Sequence, residues 1–143
     1  MSANERSGWR DVQLSIRHRK YGCDVPATDI DHLLIEYDCA QPTALIEHKH
    51  LLAGAVNLSH ANYRATTELA DRANLPFFVV RYNPERWTYR IQPANGIAQG
   101  VVFDPATCTE REYVEFLYRI RGREAPPELL AQLNDIRPAG GTL

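Results

Sequence analysis

Two short apolar runs in the first third of the sequence predict an antiparallel β-hairpin. The first run spans residues 29–38 and the second spans residues 44–50, and the segment between them has the composition of a turn. Successive side chains of a strand point to opposite faces, so Glu47 and Lys49 share one face with Leu45. The pattern therefore places an acid and a cation side by side at the end of a predicted strand.

The remaining patterns predict further helices and strands, so the sequence indicates an α/β domain. Strands are predicted at residues 77–82 and 87–91, with a short edge piece at residues 101–103. Helices are predicted at residues 7–20, from a cap at Asn57 or Ser59 to about residue 73, from a capping box at Thr109 and Glu112 to Gly122, and at residues 128–133.

The helix after the hairpin carries a polar residue within its apolar positions. Its predicted core-facing stripe has three- and four-residue spacing and consists of Leu58, Ala61, Ala65, Leu69 and Ala73. Asn62 falls inside this stripe, where an amide needs a hydrogen-bonding partner. Asn62 is therefore either a structural residue whose hydrogen bonds are satisfied or part of a site above the sheet.

Length and composition indicate one soluble globular domain. The chain has 143 residues, of which 44% are hydrophobic and 24% charged, so residues 1–143 are expected to form a single domain, with a mobile tail from about residue 134. No apolar run is long enough to span a bilayer and no signal peptide is evident, which predicts a cytoplasmic protein. The cysteines Cys23, Cys39 and Cys108 lack paired metal spacing and are expected to be free thiols.

Charge is unevenly distributed along the chain. The net charge is −2, yet residues 1–23 carry five basic residues against two acidic ones. A basic segment on a nearly neutral body suits a partner that bears phosphate groups, although a solvated helix face has the same composition. The candidates for contacts to a nucleic-acid backbone are Arg10, Arg17, Arg19 and Lys20.

Carboxylates at the start of the hairpin are candidates for a metal site with Glu47. Asp29 and Asp31 begin the first run, and a register that places Asp31 opposite Glu47 or Lys49 brings these three side chains together. Two carboxylates on adjacent strands can share Mg²⁺, and the lysine can orient a nucleophile or offset charge on a phosphate. This chemistry predicts hydrolysis of phosphodiesters, and Asp29 competes with Asp31 as the metal ligand.

Each candidate residue also has a simpler interpretation. An acid and a lysine two residues apart on a strand commonly form an ion pair in water, and Glu36 and Asp38 near the turn are expected to face solvent. A zinc site at His48, His50 and His60 is disfavoured because the first two lie on the face opposite Glu47 and no fourth ligand is evident. Three aromatic residues can either stack on bases or fill the core: Tyr82, Trp87 and Tyr89.

The order of these elements resembles the PD-(D/E)XK nuclease superfamily over roughly residues 29–82. Asp31 matches the first acid of that motif, and Glu47 and Lys49 match its (D/E)-x-K pair. Asn62 lies near the position where many members carry a polar residue on the following helix. The residue before Asp31 is Ile30 rather than proline, and no acid on the first helix can be assigned.

The resemblance implies a restriction-endonuclease-like fold, a mixed sheet flanked by helices with an αβββαβ core. It also implies a nuclease that uses Mg²⁺ or Mn²⁺, with Asp31 and Glu47 as metal ligands, Lys49 as the catalytic lysine and Asn62 as a positioning residue. DNA is the favoured substrate, and a homodimer is compatible with the family. Two alternatives stay open: an inactive nuclease-fold module that binds nucleic acid or a protein, and a structural subunit with the Glu47–Lys49 pair at an interface.

Overall fold

The computed structural model describes residues 12–22, 24 and 26–137, and within them the chain has an α/β fold with one five-stranded mixed sheet. The strands are β1 (His32–Glu36), β2 (Gln41–His50), β3 (Phe77–Asn83), β4 (Thr88–Pro93) and β5 (Ala106–Thr109). The helices are α1 (Val12–Arg19), α2 (Ala61–Arg72), α3 (Gly96–Gln99), α4 (Glu110–Ile120) and α5 (Pro127–Leu130).

The strands lie in the sheet in their chain order, β1-β2-β3-β4-β5. β1 and β2 form the predicted antiparallel hairpin around a short 3₁₀ turn at Tyr37–Cys39, and β3 and β4 form a second hairpin. β2 and β3 are parallel. A parallel pair needs a crossover connection, which α2 provides.

Two apolar layers cover the sheet, one on each face. Leu45, Phe77 and Val79 pack with Ala70 of α2 on one face. The other face packs against α3 and α4, and its buried residues include Ile46, Phe78, Val80, Ala98 and Phe116. The unbroken apolar run of β3 is therefore explained by its central place in the sheet, where both of its faces are buried.

Several predicted helix ends are confirmed. Thr109 and Glu112 form the reciprocal capping box that opens α4, and Gly122 follows its end with a φ of 71°. Asn74 follows α2 with a φ of 57°. The predicted cap of α2 is wrong, because His60 is the N-cap residue. The side chain of Asn57 instead accepts bonds from Ser59 one turn upstream.

The apolar stripe predicted for α2 is displaced by one position. Leu69 is 47% exposed, whereas Ala70 is fully buried and Tyr63 packs against the core. Thr66 and Ala70 lie one residue after the predicted positions Ala65 and Leu69, and Tyr63 lies three residues before Thr66 on the same side of the helix. Alanines dominate the predicted stripe and carry little apolar surface, so the pattern did not determine the rotation of the helix.

Other boundaries also differ from the prediction. β1 begins at His32, so Asp29 and Asp31 precede the strand rather than start it. Residues 101–103 form no strand, because the N–H groups of Val101 and Val102 both donate to the carbonyl of Ala98 at the end of α3. The strand at the edge beside β4 is β5. The N-terminal part of the first predicted helix, residues 7–11, lies outside the described residues.

The strand count before α2 differs from the αβββαβ order. Between α1 and α2 the described chain has two strands, β1 and β2, and residues 26–31 form none. No helix in the described part of the chain is long and apolar enough to cross a bilayer. Cys39 and Cys108 are free thiols, as expected, while Cys23 lies outside the described residues.

Glu36 and Asn134 both make contacts with distant parts of the chain. Glu36 is buried rather than solvent-facing, and its carboxylate pairs with Arg121 at 3.1 Å and Arg123 at 2.6 Å. Near the C-terminus, Asn134 donates its side-chain amide to the carbonyl of Arg86. The predicted mobility of the tail from about residue 134 stays a prediction, and residues 138–143 lie outside the described range.

Candidate active site

Asp31 reaches the end of β2 because of the hairpin register. His32 pairs with Ile46, so Asp31, one residue earlier, comes opposite Glu47. Its Oδ2 atom accepts a hydrogen bond from the backbone N–H of His48 at 3.0 Å, which fixes the carboxylate at this edge of the strand. Of the two registers considered from the sequence, the structure therefore has the one that opposes Asp31 and Glu47.

Glu47 and Lys49 lie on the face of the sheet that α2 covers. Glu47 Oε1 is 3.2 Å from Lys49 Nζ, and the two side chains are 23% and 33% exposed. Nζ lies 5.8 Å from the centre of the Tyr63 ring on α2 and also contacts its hydroxyl group. The lysine is therefore held between a carboxylate and an aromatic ring rather than free in water.

The acid–base properties of this pair follow from its surroundings. Burial raises the pKa of Glu47, and the neighbouring Asp31 carboxylate raises it further, against the opposite effect of Lys49. Burial acts to lower the pKa of Lys49, but its hydrogen bonds to Glu47 and Tyr63 outweigh burial and the pKa is raised. Lys49 is therefore an ammonium ion at neutral pH, suited to donate hydrogen bonds and not to accept a proton.

A cavity of about 410 Å³ opens between this end of the sheet, the start of α2 and the loop at residues 53–57. Asp29, Glu47, Lys49 and Asn62 all line it, so four of the predicted site residues meet at one opening. Asp31 contacts Glu47 from beside the cavity without lining it. Asp29 thus keeps its place as a second acid available to a ligand in the cavity.

Two further residues of this cavity were not expected from the sequence. Tyr63 lines the wall beside Lys49, and the exposed His60 lines the cavity as well as capping α2. The predicted stripe does not contain Tyr63, and the same stripe moved one position later would contain Asn62 instead. His60 had no distinguishing signal in the sequence.

Arg81 holds the loop that forms one wall of the cavity. It lies beside Lys49 in the parallel β2–β3 pairing. Its guanidinium donates to the carbonyl oxygens of Leu51 at 3.2 Å, Ala53 at 2.9 Å and Gly54 at 3.2 Å. These bonds fix the loop relative to the sheet and use most of the donors of the arginine.

The carboxylates fit a hard divalent cation. Within residues 12–22, 24 and 26–137, no group of three or more His, Cys, Asp or Glu side chains is arranged to hold a metal ion. Mg²⁺ commonly binds proteins through only one or two carboxylates and completes its shell with water and substrate phosphates. The adjacent Asp31 and Glu47 carboxylates, with Asp29 on the same cavity, supply that smaller donor set.

Similarity to known proteins gives no family for this chain. No protein-family model, curated protein or solved structure matches it significantly. The chemistry of the site therefore has to follow from its own side chains.

The three histidines considered for zinc do not come together. His48 and His50 lie on the opposite face of β2 from Glu47, as the alternation predicts, and His48 contacts His32 and Tyr113 there. His60 lines the cavity on the Glu47 face. The sheet therefore separates His60 from the other two.

The basic residues proposed for phosphate contacts lie at the N-terminal side of the site. Arg17, Arg19 and Lys20 are exposed, at the end of α1 and just after it, while Arg10 lies outside the described residues. Arg19 shares a shallow cavity with Thr28 and Asp29, and both of these also line the main cavity. At least this cation is therefore next to the acidic opening.

Proposed function

We propose that this chain is a divalent-metal-dependent nuclease of the PD-(D/E)XK type, which hydrolyses phosphodiester bonds in nucleic acid with DNA as the favoured substrate. The observation that carries the proposal is the convergence of Asp31, Glu47 and Lys49 at the open end of the β1–β2 hairpin. Asn62 and Asp29 on the same cavity add polar groups within reach of a bound substrate.

The topology gives partial support. An antiparallel hairpin whose second strand carries the acid and lysine, a crossover helix and a parallel central strand follow one another as the family pattern requires. The departure is that the described residues before α2 contain one strand fewer than the αβββαβ core. The assignment to a restriction-endonuclease-like fold is therefore part of the proposal and depends on the site.

In the proposed enzyme Asp31 and Glu47 hold Mg²⁺ or Mn²⁺. When bound, the cation polarises the phosphate and makes water a stronger nucleophile. Lys49 remains protonated through its bonds to Glu47 and Tyr63, so it offsets the negative charge that develops on the phosphate and orients the attacking water by donating a hydrogen bond.

Other residues bind and orient the substrate. Asn62 presents its amide at the exposed first turn of α2, where it can donate to a phosphate or accept from water. Arg19 shares a cavity with Asp29, and Arg10, Arg17 and Lys20 are proposed as further contacts to the phosphate backbone. Loss of one phosphate contact is expected to weaken binding to all sequences similarly and to reduce the salt dependence of affinity.

The test is cleavage of end-labelled single-stranded, duplex and branched DNA, and of RNA, with Mg²⁺ or Mn²⁺. Lys49→Ala and Asp31→Asn are expected to lose cleavage, and Lys49→Ala is expected to retain binding of nucleic acid and metal. Arg72→Ala is a matched control, because Arg72 is an exposed cation on α2 that pairs with Glu68 away from the cavity.

Each other outcome contradicts the proposal in a different way. No cleavage of any substrate, together with no heat of Mg²⁺ or Mn²⁺ binding by calorimetry, would favour the inactive nuclease-fold module. A change in oligomeric state on Lys49→Ala, measured by light scattering, would instead favour an interface role for the ion pair. Cleavage that survives both site variants would remove these residues from the mechanism.

A further inference from the structure

Seven rings lie in continuous contact on the face of the sheet opposite the candidate active site. We call this set the aromatic row, and it consists of His32, His48, Tyr113, Tyr89, Trp87, Tyr82 and His50. Tyr82 and Trp87 have nearly parallel planes at 12°, with centroids 6.4 Å apart. Tyr89 stacks on Tyr113 at 4.0 Å and 14°. The row is exposed at His32 and Trp87, half-buried at Tyr82, Tyr89, His48 and His50, and buried at Tyr113.

The aromatic row is not simply part of the core. Trp87 is 43% exposed, and a cavity of about 410 Å³ is lined by it and by five other members of the row. Trp87 also has a φ of 51°, in the left-handed region that bulky residues rarely adopt. Its N–H donates to the carbonyl of Asn83 at 2.7 Å, so the β3–β4 turn imposes this conformation. The turn thus holds a large ring at the surface in a fixed orientation.

We infer that the aromatic row is a binding site for unpaired nucleobases, on which a single strand of nucleic acid stacks. Every base has a flat π-face, so aromatic side chains bind single strands with little sequence preference. His48 bonds Tyr113 through Nε2 at 2.9 Å and His32 through Nδ1 at 3.0 Å, so both of its ring nitrogens are satisfied within the row. The row therefore offers ring faces for stacking, which needs no recognition of base edges.

The position of the row favours a nucleic acid over a protein partner. Glu47 and Lys49 alternate along β2 with His48 and His50, so the acidic cavity and the row occupy opposite faces of the same strand end. Successive residues of a strand are only about 3.3 Å apart. A flexible single strand that passes around this end can place a phosphate at Lys49 and bases on the row, whereas a stiff duplex cannot bend so sharply.

The inferred substrate preference, single-stranded ends or flaps over continuous duplex, rests on the proposed nuclease function. The binding site itself does not, because stacking needs neither metal nor catalysis. The two are therefore tested separately, with binding measured in EDTA and cleavage measured with metal.

The binding test uses Trp87 as its own probe. In a Trp9→Phe background Trp87 is the sole tryptophan of the chain. Its fluorescence is expected to be quenched on titration with a thymidine oligonucleotide in EDTA and to change little with a duplex of the same length. Anisotropy of a labelled oligonucleotide then gives the affinity of each variant.

Trp87→Gly removes the ring and suits the positive φ of the turn, so it is expected to fold. It should weaken single-strand binding by at least about fivefold, and Trp87→Phe should restore most of the loss. Phe103→Ala is the control, because Phe103 is 79% exposed and lies outside the row.

The outcomes separate the two claims. Weaker binding by Trp87→Gly with no cleavage by any form would support the aromatic site and contradict the nuclease. Cleavage by a Trp87→Gly protein that binds single strands as tightly as the original would contradict the aromatic site and leave the nuclease. If replacement of Trp87 instead changes the self-association of the protein, the row is an interface between copies, and that result overturns the inference.

Discussion

The Glu47 carboxylate and the Lys49 ammonium lie 3.2 Å apart on the face of β2 covered by α2, and each changes the acid–base behaviour of the other. An ion pair in water contributes little to stability. This pair is partly buried and has a second carboxylate, Asp31, next to it. One cation beside two carboxylates is the combination that a site for a metal ion and a phosphate requires. Each residue next to the Glu47–Lys49 pair can be tested separately by substitution.

Asp31→Asn is expected to lower the pKa of Glu47. Burial would still raise that pKa, but the neighbouring negative charge, its next largest cause, would be absent. Because the pKa of Glu47 is higher in the folded protein than in the unfolded chain, the protein loses stability as pH rises through the folded-state pKa. The shift is smaller in Asp31→Asn, so this variant should lose less stability over the same pH range. Carbon-detected NMR titration of the Glu47 carboxyl group measures the change directly.

Asp29→Asn is the control for this experiment, because Asp29 lines the cavity but is not among the causes of the Glu47 shift. It should leave the titration of Glu47 in place. If Asp29→Asn shifts the pKa and Asp31→Asn does not, Asp29 is the acid that faces Glu47, and the metal-ligand assignment moves to it.

If the chain is the proposed nuclease, Tyr63→Phe is expected to reduce kcat several-fold with little change in KM. The variant keeps the ring beside Lys49 but loses the hydroxyl group that helps to raise the pKa of the ammonium. Loss of one hydrogen bond to a charged group, roughly 1 kcal/mol in the transition state, corresponds to about a fivefold slower reaction. Tyr63 is a positioning residue, so the alkaline limb of the pH–rate profile should move to lower pH.

Tyr37→Phe is the matched change, because Tyr37 is 77% exposed and lies in the β1–β2 turn away from the cavity. Its kinetics should equal those of the unchanged protein. An unaltered pH–rate profile in Tyr63→Phe would mean that the hydroxyl group does not act through Lys49.

Local alternation and spacing predicted the parts of the site that depend on one strand. The period of two placed Glu47 and Lys49 together and His48 opposite, and the unbroken apolar run identified β3 as central. Helix rotation was not predictable in the same way, because α2 offers two stripes of equal spacing and its alanines do not distinguish them.

Local sequence patterns could not predict the contacts between segments that are distant in the chain. Glu36 next to a turn has the sequence context of a surface residue, and only the position of the α4 end brings Arg121 and Arg123 to it. The loop bonds of Arg81 are of the same kind, since they join residues about 30 positions apart. The aromatic row likewise combines β1, β2, the β3–β4 hairpin and α4, and no single stretch contains it.

Glu36→Gln is expected to destabilise the fold by about 1–2 kcal/mol, because it removes a buried carboxylate that two arginines contact and weakens charge-assisted hydrogen bonds. Glu68→Gln is the comparison, since Glu68 pairs with Arg72 at a similar distance of 2.8 Å but in an exposed pair. Its effect should stay within about 0.5 kcal/mol. Urea unfolding measures both, and equal effects of the two changes would mean that burial of Glu36 adds nothing.

His48 is expected to make the fold sensitive to mild acid. Burial and, to a smaller extent, the adjacent His32 lower its pKa from 6.5 to about 4, with Asp31 opposing the shift. Between pH 6.5 and pH 4 the unfolded chain therefore binds a proton on His48 more readily than the folded protein does. The contribution of His48 to stability is complete above pH 6.5 and is lost as pH falls toward 4. The loss amounts to roughly 2–3 kcal/mol at the lower limit.

His48→Gln keeps polar atoms beside Tyr113 and His32 but cannot gain the proton. Urea unfolding at pH 7, 5.5 and 4.5, with each protein referred to its own stability at pH 7, should show a shallower decline for the variant. Identical declines would mean that His48 does not resist protonation in the folded state.

Because His48 belongs to the aromatic row, a protonated form would add positive charge to that face, and single-strand affinity measured in EDTA should then rise as pH approaches 4.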